Sequence, residues 1–122
     1  MTDSVRLLIH GASGRMGRAL LRLAADDPSV DVVAAVARRI DQRVVDGVAW
    51  FTAAEMRGAP DFDVAVDFSL PEAFDQVLAL CRQRGKGLVS GTTGLSDAQR
   101  AAMEQAAGVI PVLWASNFSL GV

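Results

Sequence analysis

Three glycines stand three residues apart in the run Gly11-Ala12-Ser13-Gly14-Arg15-Met16-Gly17, directly after the apolar stretch Val5 to His10 and ahead of a helix-patterned segment. Glycine at such a turn leaves main-chain N–H groups at a helix start open to an anion, and the helix dipole adds attraction for phosphate. A glycine triplet also serves tight turns for steric reasons alone, so its surroundings decide. Leu7, Leu8 and Ile9 suit a buried parallel strand, while Met16, Leu20, Leu23 and Ala24 recur at helical spacing on one face. Strand, turn and helix in that order fit the pyrophosphate of a dinucleotide. The loop departs from plain GxGxxG: Gly14 fills the second glycine's place in a GxxG spacing, and Ser13 takes a neighbouring loop position.

A dinucleotide-binding domain tests the adenine ribose at the end of its second strand, where an acid selects a free 2′-hydroxyl. That place reads Ala37-Arg38-Arg39 here, with Asp41 further along. Two guanidiniums and no carboxylate suit a 2′-phosphate, so NADPH is expected to bind in preference to NADH. Arg15, Arg18, Arg22 and Arg43 crowd the same third of the chain.

The elements that must position these residues alternate. Strands are expected at Val5 to His10, Asp31 to Ala37, Val48 to Phe51, Val64 to Phe68, Gly87 to Ser90 and Pro111 to Ala115, with helical patterns between most of them. Thr52 with Glu55, Ser69 with Glu72, and Ser96 with Gln99 each fit a reciprocal capping box. Phe74, Val77, Leu78 and Cys81 make an apolar stripe that Gly85 ends. The economical architecture is an α/β, Rossmann-like, doubly wound and mainly parallel sheet with helices on both faces. Loops 11–17, 37–39, 68–70, 91–94 and 115–118 then converge on one sheet edge.

At 122 residues and 51% apolar composition the chain is one domain with a real core. Its single cysteine, Cys81, fits a reducing compartment and reads as buried filler. No apolar run approaches the roughly 20 residues of a bilayer span, and no secretory leader pattern opens the chain, so a cytoplasmic protein is expected. A net charge of −2 argues against a nucleic-acid surface. His10, the sole histidine, reads as a packed or hydrogen-bonded residue, and no metal site is expected.

Gly11 to Gly17, Asp67-Phe68-Ser69 with Pro71-Glu72, Gly91-Thr92-Thr93-Gly94 and Ala115-Ser116-Asn117-Phe118-Ser119-Leu120-Gly121-Val122 together resemble the dihydrodipicolinate reductase family in order and spacing. The resemblance implies reduction of 4-hydroxy-tetrahydrodipicolinate to tetrahydrodipicolinate by NADH or NADPH, in lysine and diaminopimelate biosynthesis. It implies that Gly11, Ala12, Ser13, Gly14, Arg15 and Met16 hold the pyrophosphate and that Arg38, with Arg39 beside it, meets the 2′-phosphate. Gly91, Thr92 and Thr93 would face the nicotinamide, whose pocket Ala115, Ser116, Asn117 and Phe118 complete. Phe68 and Ser69 join this cofactor-binding set. The family often has an acid where Ala37 stands, and its absence agrees with the preference for NADPH. It often has a basic residue in place of Leu70, so no contact is carried over there.

The same resemblance makes residues 1–118 the dinucleotide-binding domain and 119–122 the start of a hinge to a second, mixed α/β domain. That domain, with the catalytic and dicarboxylate-binding groups, has no counterpart in this sequence; no catalytic residue is named, and the chain alone is expected to be inactive. The intact enzyme is expected to be a homo-oligomer, and this half to be less stable or to self-associate. The alternative is a free-standing NADP(H)-sensing module acting through a partner protein. A homoserine dehydrogenase cofactor domain would leave the 91–94 and 116–118 runs unexplained.

Overall fold

A strand buried on both faces needs consecutive apolar residues, and Val5–His10 (β1) has them: Leu8 and Ile9 are both fully buried, pointing to opposite sides of the sheet. The computed structural model describes residues 4–115. Around β1 lie Val30–Ala37 (β2), Val48–Thr52 (β4), Val64–Asp67 (β5), Gly87–Ser90 (β6) and Val112–Trp114 (β7), all parallel, while Val44–Val45 (β3) pairs antiparallel with β4. The order is β3-β4-β2-β1-β5-β6-β7. Without the β3 edge this is the doubly wound order of a dinucleotide fold, in which the chain's direction of travel reverses between β1 and β5.

One face carries Pro71–Arg84 (α2), Asp97–Ala106 (α3) and the 3₁₀ helix Ala53–Gly58, whose apolar residues join the larger core around Phe62, Phe74, Val77 and Leu88. The other carries Arg15–Ala25 (α1) over Ile9, Ala35, Val32 and Trp50. The expected stripe on α1 needs one correction. Leu20 and Leu21 meet the sheet, whereas Leu23 is 69% exposed, because the helix is turned to press Gly17 against the Gly11-Ala12 loop.

The β3 hairpin was not expected. Its two-residue turn, Asp46-Gly47, has both φ angles positive at 51° and 81°, the conformation that asparagine, aspartate and glycine tolerate in hairpins. The hairpin stands where a crossover helix would otherwise cover β2 and β4. A groove of about 570 Å³ therefore runs along α1, lined by Leu21, Val32, Val48 and Trp50 among others.

Two of the three expected capping boxes are present. Ser96 and Gln99 exchange bonds of 3.1 and 2.9 Å at the start of α3. Thr52 donates its N–H to Glu55 at 2.9 Å, but what it caps is the 3₁₀ helix. The third fails: Leu70 is the N-cap of α2, Pro71 its first residue, and the Ser69 hydroxyl donates instead to Asp67 at 2.6 Å. A buried carboxylate is the stronger acceptor and draws Ser69 away from the helix end. No helix among the described residues is long and apolar enough to cross a membrane.

Candidate functional site

Each glycine of the first loop answers to a different constraint. Gly11 sits at φ 81°, and a Cβ there would come within 2.5 Å of the Phe68 carbonyl oxygen. Gly17 faces the same turn from the helix, where a Cβ would come within 2.3 Å of the Gly11 carbonyl oxygen and 2.6 Å of the Ala12 Cα. Gly14 has no such neighbour: its nearest contact would be Gly11 O at 3.5 Å, ordinary van der Waals distance. The fold requires the outer two glycines and leaves the middle one open on its outer side.

The N–H of Gly14 is engaged with Gly11 O at 3.1 Å, and those of Gly11 and Ala12 with Val36 O at 2.9 and 3.0 Å. The first bond of α1 runs from Arg18 N–H to Gly14 O at 2.9 Å, so helix geometry leaves the N–H groups of Arg15, Met16 and Gly17 without an acceptor inside the helix. No side chain caps this end and its first turn holds no acid. Together with the positive end of the helix dipole, these donors, which have no acceptor among the described residues, make an arrangement suited to an anion.

Beside the loop a crevice of about 430 Å³ opens at the carboxyl ends of β1, β2 and β5. Gly11, Ser13 and Gly14 line one wall, Arg38 another, and Phe68, Ser69 and Leu70 a third. The crevice lies where the chain's direction of travel reverses, the usual ligand position in open α/β sheets. Arg38 and Arg39 diverge: Arg38 lines the crevice, while Arg39 borders a shallower depression with Ser13, Arg18 and Asp41. Neither arginine has an ion pair with a described residue, so both guanidiniums are available to a ligand.

The loop after β6 reaches the same edge but not the crevice wall. Gly91 donates its N–H to Asp67 O at 2.8 Å, Thr92 is 2% exposed, and Thr93 is exposed. Ala115 donates its N–H to Ser90 O at 3.1 Å. Ser116, Asn117, Phe118 and the hinge at 119–122 lie outside the described residues.

Sequence reasoning assigned no role to Asp67, yet its fully buried carboxylate organises this edge. Oδ1 accepts from His10 Nδ1 at 2.9 Å, Ser69 Oγ at 2.6 Å and Ser69 N–H at 3.2 Å. Oδ2 accepts from Ser90 Oγ at 2.9 Å and Thr92 Oγ1 at 2.7 Å. The available signal was an acid closing an apolar strand, Val64-Ala65-Val66-Asp67, because a buried carboxylate demands partners. Burial pushes its pKa up, but the donors from His10, Ser69 and Thr92 outweigh that and hold it below the ordinary range. Burial, and then the charge of Asp67, push the Cys81 thiol up to about 12, which leaves it unreactive.

A carboxyl whose folded pKa is depressed contributes stability above its unfolded value, near pH 4, and that contribution is lost as pH falls through the folded value. Acid titration followed by circular dichroism should show stability declining below about pH 4, and Asp67→Asn should flatten that decline. An equally steep acid limb in the variant would refute the assignment to Asp67.

The family model described as "Dihydrodipicolinate reductase, N-terminus" matches residues 5–118. The chain belongs to the dihydrodipicolinate reductase family. It is 68% identical over 122 residues to the 4-hydroxy-tetrahydrodipicolinate reductase of Xanthomonas campestris pv. campestris, covering 99% of this chain and 51% of that protein. To the enzyme of the same name from Stenotrophomonas maltophilia it is 69% identical over 120 residues, covering 97% and 50%. The chain thus spans about half the length of these relatives and corresponds to the family's N-terminal half. A dipicolinate-bound dihydrodipicolinate reductase from a Paenisporosarcina species superposes with a TM-score of 0.77 at 23% identity, over 97% of this chain and 49% of that one. Homoserine dehydrogenase from S. aureus reaches 0.73 at 9% identity, over 93% and 32%. The fold alone does not separate these two; sequence identity to the reductases does.

Proposed function

We propose that this chain is the cofactor-binding half of a 4-hydroxy-tetrahydrodipicolinate reductase and that it binds NADPH in preference to NADH. The observation that carries this reading is a crevice lined by Gly14, open to approach, and by Arg38 at the end of β2, with the acid-free start of α1 following Gly14 directly in the chain. The pyrophosphate would lie on the N–H groups of Arg15 and Met16, beside Ser13, and the adenosine 2′-phosphate would meet Arg38. The dinucleotide would then extend past Phe68 and Ser69 toward Gly91 to Thr93 and residues 115–118. When bound, NADPH supplies the hydride; the chain's own contribution is to hold and orient it.

Reduction also needs groups that bind the dicarboxylate substrate and position it against the nicotinamide, which belong to the other half of the reductase in this reading. The intact enzyme is then a cytoplasmic homo-oligomer with no nucleic-acid or membrane partner, consistent with the modest acidic charge of this half. The test is calorimetric titration of the chain with NADPH and NADH. NADPH is expected to bind at least about tenfold more tightly, a difference of about 1.4 kcal/mol. Absence of binding at millimolar nucleotide would overturn the proposal, and equal affinities would overturn the preference. Given substrate and NADPH together, the chain alone is expected to give no turnover.

A further inference from the structure

Asp67 does not line the crevice, but two residues it holds, His10 and Ser69, do. Its five donors come from the ends of three neighbouring strands: His10 closes β1, Ser69 follows β5, and Ser90 and Thr92 close and follow β6. The connection continues to β7, where the Trp114 indole N–H donates to the Thr92 carbonyl at 3.0 Å. Main-chain bonds knit the same edge: Phe68 N–H to His10 O at 3.0 Å, and Gly91 N–H to Asp67 O at 2.8 Å. The phosphate loop is seated on this assembly, because Gly11 lies against the Phe68 carbonyl too closely to admit a Cβ. A displacement at Phe68 or Ser69 is therefore passed to the loop that carries the free N–H donors.

We infer that Asp67 is a positioning residue for the nucleotide crevice, its carboxylate setting the loops after β1, β5 and β6 against one another through His10, Ser69, Ser90 and Thr92. This inference rests on the nucleotide-binding reading above. An ionised carboxylate suits the position because it only accepts hydrogen bonds, and all five partners donate. An amide could keep its oxygen toward His10 and the Ser69 N–H, which cannot turn away. Its NH₂ would then face Ser90 and Thr92, whose hydroxyls must rotate, and Thr92 has the Ser69 carbonyl at 3.3 Å as an alternative acceptor. Asp67→Asn thus loosens the β6 side while leaving side-chain volume unchanged.

The arrangement also fixes the state of the only imidazole in the chain. With Nδ1 against a carboxylate that only accepts, Nδ1 is the ring nitrogen that carries a proton toward Asp67. Nitrogen NMR of that single histidine reads this directly in the wild-type chain.

The experiment measures NADPH affinity by calorimetry for the wild-type chain, Asp67→Asn, Thr92→Val, Thr92→Ser and a remote core variant, Met103→Ala, at a temperature where circular dichroism shows each folded. Asp67→Asn is expected to weaken NADPH binding about tenfold, the scale of coupling within a buried polar network. Thr92→Val should weaken it as well, Thr92→Ser should restore it, and Met103→Ala should leave it unchanged. The His10 signals of the wild type should report the Nδ1–H form. Wild-type affinity in folded Asp67→Asn, an equal loss in Met103→Ala, or an Nδ1 that carries no proton in the wild type would each overturn the inference. Should Asp67→Asn fail to fold, the Thr92→Val and Thr92→Ser pair decides in its place. No NADPH uptake by the wild type overturns the nucleotide reading and this inference together, whereas wild-type uptake that Asp67→Asn retains in full overturns this inference alone.

Discussion

Adding a methyl group at Gly17 is expected to destabilise the chain by at least about 3 kcal/mol, while the same addition at Gly14 leaves the fold intact and weakens NADPH binding. The two positions are three residues apart at the start of one helix, and the difference lies in what stands opposite. At Gly17 the new Cβ would lie 2.3 Å from a backbone oxygen and 2.6 Å from a backbone carbon of the Gly11-Ala12 turn. Neither atom belongs to a flexible side chain. Relief would require α1 to lift off β1 and β2, uncovering Ile9 and Ala35. At Gly14 the nearest atom would be 3.5 Å away, so the only cost in the free chain is the poorer N-cap propensity of alanine, about 0.5 kcal/mol. The outward space at Gly14 is where the pyrophosphate would approach. A methyl group there should cost about 1–3 kcal/mol of binding through overpacking and lost contact with the N–H donors. Thermal unfolding with nucleotide titration separates the two effects. Normal NADPH affinity in Gly14→Ala would place the phosphate elsewhere.

The parallel sheet was legible because its strands are short apolar runs between glycine, proline and capping signals, and β1 and β6 match the expected limits residue for residue. The antiparallel β3 edge is not legible because two residues make no periodic pattern; its one sequence signal is the Asp46-Gly47 pair. The stripe on α1 fails at Leu23 because periodicity locates an apolar face but not its rotation. That rotation was fixed by close packing at Gly17, a residue with no hydrophobic signal of its own. The spacing of the three glycines marked the crevice, yet not which N–H groups within it are free. Gly14 itself gives its N–H to Gly11, and the unengaged donors are those of the helical residues that follow.

Long-range polar partners were the least legible feature. His10 and Asp67 are 57 residues apart, and Asp67 and Thr92 are 25 apart, so only the parallel register of β1, β5 and β6 brings them together. Thr92 was expected to face the nicotinamide, and the structure engages its hydroxyl with Asp67. The candidate site is thus a sequence-local glycine loop resting on a topology-dependent polar base. The first is visible as a motif; the second becomes visible once strands are adjacent.

Arg38→Ala should weaken NADPH binding about tenfold and leave NADH nearly unchanged, whereas Arg39→Ala should change either by less than about twofold. Sequence position treats the two arginines alike, but only Arg38 borders the crevice that Gly11, Ser13 and Gly14 line. A fully desolvated guanidinium–phosphate pair contributes up to about 3 kcal/mol, yet Arg38 is exposed, and solvent screening brings the expectation to the lower end, about 1.4 kcal/mol. The same exposure makes the preference salt-dependent. Raising ionic strength from about 0.05 M to about 0.5 M shortens the screening length well below 10 Å and should narrow the gap between NADPH and NADH. Equal losses of both nucleotides in Arg38→Ala would mean that its side chain contacts the adenine or shapes the wall instead of reading the 2′-phosphate. A dominant loss in Arg39→Ala would move the adenosine end out of the crevice and into the depression beside Arg18 and Asp41.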